Sequence, residues 1–233
     1  MFGRIDCLEE RGWRVRLTRE EIMGLTVLRV DLPAPVRPRH VKRAGKLLWK
    51  QGIRRVVTPG EFAHWPLLRQ LGLEPVETVG LCQAMASKLA LAALRTGGLH
   101  AAQATVTLRG ERVTRALRLA ALELCPVVRN VVIAAPGGGE ALRAELRREF
   151  GIPAMEEGRD RPPDVALHFA PARGEGGTVF RLYGPSPDLA GFTIAPIHRS
   201  IPTGCDRLAL LSALWETDRL GCGGLEVIAL VGT

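Results

Sequence analysis

The sequence predicts an α/β protein built on a mixed, mainly parallel sheet covered by helices. From residue 34 onward, short apolar runs of strand length alternate with segments of helical periodicity, the pattern of a parallel sheet with both faces covered. Residues 40–77 read as helix, strand, Pro-Gly turn, helix and strand, and residues 112–157 read the same way. The correspondences are ordered, RRVVTPG with RNVVIAAPG and LLRQLGLEPVE with ELRREFGIPAME, which predicts an internal duplication. Each second helix ends at a Gly suited to a left-handed cap, followed by a Pro-containing edge.

The elements follow in order. GRIDCL and WRVRL alternate in hydropathy around ERG and predict a hairpin. Thr18 and Glu21 have capping-box spacing and predict a short helix over TREEIMGL, and TVLRVDLP then reads as a strand stopped by proline. Residues 1–33 are therefore expected as a small α+β segment, 34–100 as a first βα half, and 101–233 as a second half. In residues 37–55 the apolar positions Val41, Ala44, Leu47 and Leu48 recur at helical spacing, with Arg39, Lys42, Lys46 and Lys50 near the opposite face. GLCQAMASKLALAALRTGG, apolar on more than one face, predicts a buried helix stopped at Gly97 and Gly98, and ATVTLRG a strand. PDVALHFAP, TVFRLYG and FTIAPIH, separated by turn-rich loops, predict hairpin strands appended to the sheet. Thr203 with Asp206 predicts a capping box opening CDRLALLSALWETDRL as a helix, and GLEVIALVGT closes as a buried strand.

Composition narrows the function classes. With 233 residues, 46% apolar and 24% charged, the chain can bury a sizeable core, and no apolar run approaches the roughly 20 residues of a membrane span. The start, MFGRIDCLEERGW, has early acidic residues and no apolar core of a secretory signal, so a cytoplasmic location is expected. Five scattered cysteines with no CxxC pair predict neither a disulfide framework nor a zinc site, and the dispersed histidines favour no metal. The net charge of +8 raises a nucleic-acid partner. Against it, the basic run at 37–55 reads as a solvated helix face, with Trp49 the only aromatic among its charges, so a nucleic-acid partner is not expected.

Chemistry concentrates in three places. In AAPGGGEAL, a strand runs into Gly137, Gly138 and Gly139 and then a helix, a layout in which backbone N–H groups and a helix N-terminus can receive an anion. This resembles a Rossmann-type turn in layout, although the spacing is neither GxGxxG nor GxxxxGK[ST]. Pro136 removes a donor, and Glu140 would repel a phosphate while satisfying the helix dipole, so turn and cradle both remain open. The corresponding turn of the first half carries Thr58, Gly60 and His64 beside Phe62 and Trp65. The third place, PIHRSIPTGCDR, brings His198, Arg199 and Ser200 ahead of a helix N-terminus, where an Arg and hydroxyls could hold a carboxylate or phosphate. No catalytic group and no cofactor is identified by these residues. Two readings follow: a protein binding a small anionic ligand or nucleotide at the strand-end turns, with an enzyme as a subset, or a non-enzymatic interaction protein, for which a homodimer is one form.

Overall fold

The computed structural model describes residues 1–12, 14–151, 155, 162–172, 177–198 and 200–230. The chain divides into two compact units, residues 1–77 with 196–225, and residues 78–195 with 226–233. Each is α/β with a mainly parallel sheet, the class that the sequence predicts.

Unit 1 holds β1 (Phe2–Arg11), β2 (Arg16–Ile22), β3 (Leu25–Ala34), helix α1 (Pro38–Lys50), β4 (Arg55–Val57), α2 (Trp65–Arg69), β5 (Glu74–Pro75) and, from the later segment, α7 (Arg207–Glu216). Its sheet order is β2-β3-β1-β4-β5, with every pair parallel except β2 on β3. The predicted GRIDCL–WRVRL hairpin is not formed, because β1 pairs with β3 in parallel and β2 turns back on β3 instead. The turn lies at Met23 and Gly24, both at positive φ (51° and 78°), the backbone of a tight hairpin loop. The predicted helix over residues 18–25 is therefore strand β2, its good helix formers overridden by seven register pairs with β3. Alternation along β1 and β3 sends Ile5, Leu28, Val30 and Leu32 into an apolar core with Val41, Ala44 and Leu48 of α1. The opposite register positions carry Arg4, Asp6, Arg29 and Asp31.

Proline at the start of α1 costs no hydrogen bond there and presets its helical φ. Asp206 caps α7 through its own side chain, which accepts from the Ala209 N–H at 3.1 Å, so the cap is one residue and not the predicted Thr203–Asp206 box.

Unit 2 holds α3 (Val79–Ala84), α4 (Ala86–Thr96), β6 (Thr105–Arg109), α5 (Arg115–Leu124), β7 (Asn130–Ala134), α6 (Gly139–Phe150), β8 (Val165–His168), β9 (Thr178–Arg181) and β10 (Phe192–Pro196). The stretch expected as one helix over 80–96 is two, divided at Met85, whose φ and ψ of −95° and 6° leave the helical region. Gly97 follows as the cap. The four-stranded sheet has the order β7-β6-β8-β9, and each pair is parallel. The strands expected as appended hairpins thus divide: β8 and β9 extend the sheet in parallel, β8 pairing with β6 at its centre, while β10 joins β11 (Leu225–Ala229) in a separate two-stranded sheet. Burial decides this, since VALH is enclosed along its whole length and the register places Val165, Ala166 and Leu167 beside Val106, Thr107 and Leu108.

Numbered along the chain, the parallel strands of both sheets stand in the order second, first, third, fourth. The echoing segments RRVVTPG and RNVVIAAPG fall on β4 and β7, which hold the third and second places. No helix among the described residues is long and apolar enough to cross a membrane.

Candidate functional site

In unit 2 the chain leaves β6 and moves to β7 on one side, then crosses to β8 on the other. Such a reversal opens a crevice beyond the carboxyl ends of the strands, where open α/β sheets bind ligands. A cleft of about 640 Å³ lies there, lined by residues at or beyond the ends of β6, β7 and β8 and on α6. That volume is within the usual range for small-molecule sites.

Arg109 ends β6, and His168 ends β8 beside it in the sheet register. Both are almost fully buried, although they terminate otherwise apolar strands. Arg109 Nη1 lies 3.1 Å from His168 Nε2. A guanidinium can only donate, so Nε2 presents its lone pair, which places the ring proton of a neutral His168 on Nδ1. Arg109 also lines the cleft, as does Arg143, one turn into α6, whose Nη1 donates to the Ile133 carbonyl at 3.2 Å. Exposed Glu111 and Glu140 complete the charged lining, and Ile133, Ala134, Ala135 and Pro136 supply apolar wall.

The three glycines serve the turn beside this cleft. The Gly137 N–H donates to Glu111 O at 3.1 Å, the Gly138 N–H to Pro136 O at 3.1 Å and the Gly139 N–H to Ala135 O at 3.0 Å. All three amides that a phosphate cradle would use are therefore engaged within the protein. A Cβ on Gly137 would stand 2.8 Å from Arg112 Cβ and 3.1 Å from its Cα, so glycine permits two loops to pass at backbone contact. Gly138 takes φ 89°, the left-handed conformation glycine adopts without penalty. Pro136 and Glu140, which flank the glycines, line the cleft.

The other residues singled out in the sequence belong to unit 1. Thr58 is buried, its carbonyl accepting from the Asp206 N–H at 2.7 Å and its hydroxyl donating to Pro59 O at 3.1 Å. This bond joins the turn at 58–64 to the 196–207 segment. Gly60 is exposed and its carbonyl accepts from the Phe62 N–H, while His64 sits edge-on to Phe62 with ring centroids 5.6 Å apart. His198 and Ser200 are exposed, and Arg199 lies outside the described residues. Burial pushes the Cys205 thiol above its ordinary value, Arg4 opposing and Asp6, Asp206 and Glu20 adding to it, which keeps the sulfur protonated and a poor nucleophile.

Unit 1 also buries a charged network that no sequence motif announced. Arg4 pairs with both oxygens of Asp6, at 2.8 and 2.7 Å, with Glu20 at 3.0 Å and with the Thr203 carbonyl at 3.0 Å. Arg29 reaches Asp6 at 2.9 Å and Asp31 at 2.7 Å. Burial nevertheless pushes the Asp6 carboxyl up, outweighing the pull of Arg4 and Arg29. Arg4, Asp6, Glu20 and Arg29 each have at least two partners, the condition for a buried ion network to persist. No group of three or more His, Cys, Asp or Glu side chains among the described residues is placed to hold a metal.

Arg109 and Arg143 escaped the sequence reading because they are 34 positions apart and belong to no local motif. The available signal was a lone cation closing an apolar strand, TVTLRG. No protein-family profile matches the chain, and no curated protein sequence matches it. Among solved structures it is similar to the L-tryptophan dehydrogenase from Nostoc punctiforme, with 12% identity, a TM-score of 0.32, and coverage of 62% of this chain and 44% of that one. The chain thus spans less than half the length of that enzyme. At this level the likeness carries no functional argument.

Proposed function

We propose that the cleft of unit 2 binds a small ligand through an anionic group, phosphate or carboxylate, held by Arg109 and Arg143. The observation that carries this reading is the pair of guanidinium side chains lining a cleft of about 640 Å³ at the carboxyl ends of β6, β7 and β8. A guanidinium in a partly enclosed site forms charge-assisted, geometrically directed bonds to such groups. Glu111 and Glu140 narrow the ligand class, because a bare polyanion would meet two carboxylates in the same cleft. A ligand with hydroxyl or ammonium donors next to its anion satisfies both signs, and nucleotides and amino acids have this composition. The glycines shape the wall without giving up their amides. The bound form keeps Arg109 on His168, whose ring holds the guanidinium in place.

A thermal-shift screen against nucleotides, dinucleotides, amino acids and simple anions tests the reading, followed by calorimetry on hits. A ligand at about 100 times its dissociation constant stabilises the fold by roughly 2.7 kcal/mol, well above the detection limit. Arg143→Gln is expected to remove the shift, since it deletes a lining cation from a half-buried surface position. A hit that persists unchanged in both Arg143→Gln and Arg109→Lys would refute this site.

A further inference from the structure

Helix α1 (Pro38–Lys50) turns a second charged surface to solvent in unit 1. At 100° per residue, Arg39, Lys42, Arg43, Lys46 and Lys50 fall within about 100° of arc, along about 16 Å of helix. All five are exposed, and with Leu47 they line a groove of about 480 Å³. The helix contains no Asp or Glu, and none of the five makes an ion pair with a carboxylate among the described residues. Elsewhere in the unit, Arg4, Arg29, Arg55 and Arg69 are each paired with a carboxylate.

We propose that this face of α1 binds the phosphate backbone of double-stranded nucleic acid, without reading its sequence. A row of five cations on a rigid helix is complementary to a duplex, whose phosphates present about one negative charge per 1.7 Å of axis. A helix is also narrow enough for the roughly 12 Å major groove of B-form DNA. The scarcity of aromatics argues against stacking on single-stranded bases, but backbone contact to a duplex needs none. An anionic membrane fits less well. The apolar side of α1, including Val41, Ala44 and Leu48, is spent on the unit 1 core, which leaves no apolar face for insertion into lipid. Trp49 is exposed but stacked by Arg54 at 5.1 Å from its ring centroid.

The test is fluorescence anisotropy of a labelled DNA duplex of about 20 base pairs with the full chain, from about 50 to 200 mM salt. Five released counterions give a slope of log affinity against log salt of about −4.5, or a fall of about 500-fold over that range. Lys42→Glu with Lys46→Glu leaves three cations, so binding should weaken at every salt and the slope shrink to about −2.7. Arg95→Glu with Arg129→Glu makes the same change in net charge at exposed positions of unit 2 and should keep the wild-type slope. Lys42→Gln with Lys46→Gln, which also leaves three cations but adds no carboxylate, should share the slope of about −2.7 and bind with an affinity between those of the wild type and of Lys42→Glu with Lys46→Glu, and circular dichroism confirms that each variant is folded. Absence of binding at the lowest salt, equal losses in the two Glu double variants, or binding to phosphatidylserine vesicles with no affinity for the duplex would each overturn the proposal. An RNA duplex that binds with the same salt slope supports it, since the recognised group is the phosphate.

Discussion

Alanine placed in turn at Gly137, Gly138 and Gly139 should produce three different outcomes in unit 2, because each glycine answers a different constraint. At Gly137 the new Cβ meets Arg112 Cβ at 2.8 Å, Arg112 Cα at 3.1 Å and Glu111 O at 3.1 Å. Two of those neighbours are backbone, so relief requires moving the loop after β6 and straining the Val113 N–H bond to Gly137 O, now 2.7 Å. Overpacking of this kind costs about 2 kcal/mol. At Gly138 the added Cβ finds Val113 at an ordinary 3.6 Å, but φ remains at 89°, a penalty of about 1 kcal/mol for an L side chain. At Gly139 the nearest atom, Ile133 Cγ2, is 3.4 Å away and the residue opens a helix, so alanine should be neutral to within about 0.5 kcal/mol. The assay must watch unit 2, and residues 78–195 contain no tryptophan, whereas Trp49, Trp65 and Trp215 belong to unit 1. Urea unfolding followed by far-UV circular dichroism, with hydrogen exchange at the β6 and β7 amides, reports the affected sheet, and tryptophan fluorescence serves as a control. Gly139→Ala costing as much as Gly137→Ala would refute the reasoning, since a uniform penalty would mean that the turn needs glycine for something other than loop contact.

Other outcomes follow from unit 1. Arg4→Met should destabilise it by roughly 3 kcal/mol, because the buried Asp6 loses its main partner, and Asp6→Asn should cost less, since Arg4 keeps Glu20 and the Thr203 carbonyl. Tryptophan fluorescence in urea checks both. His40 is buried with neither ring nitrogen hydrogen-bonded, and burial, with Arg39 and Arg37 adding, pushes its titration below the ordinary 6.5. The unfolded chain then binds a proton that the folded chain refuses, so stability is complete above that value and falls as pH drops through it. His40→Leu should flatten this fall in melts taken from neutral to mildly acidic pH. Asp206→Ala removes the α7 cap and should cost about 1 kcal/mol, read by hydrogen exchange in the first turn of that helix.

The parts of the fold legible in sequence were those specified locally. Helix α1 follows from its apolar spacing, and β6, β7 and α6 from apolar runs punctuated by glycine and proline. What misled was long-range pairing. TREEI has the capping pattern and composition of a helix, yet β3 recruits it as a strand, and the Met23–Gly24 turn that makes this work is a weak signal on its own. The Gly-rich loop before TVFR reads as a hairpin turn, but β9 runs parallel to β8, an arrangement set by the sheet and not by the loop. The cleft illustrates the same limit. Gly137–Gly139 could be found by inspection because they are contiguous, while Arg109 and Arg143 become a pair only when the end of β6 and the first turns of α6 line one cleft.

The return of residues 196–225 to unit 1 bears on how the chain can be made and cut. Arg4 waits for Thr203, Thr58 for Asp206 and Arg55 for Glu216, whose carboxylate oxygens it meets at 2.5 and 2.8 Å. On a ribosome, the first 77 residues emerge well before those partners, with about 120 residues, on the order of ten seconds of synthesis, in between. The N-terminal sheet therefore spends that interval with one charged face incomplete, while residues 78–195 can collapse on contacts of their own. A protein ended at residue 195 would leave both bodies short: the second without β11, the partner of β10, and the first with Arg4 and Arg55 missing the acceptors that residues 196–225 supply.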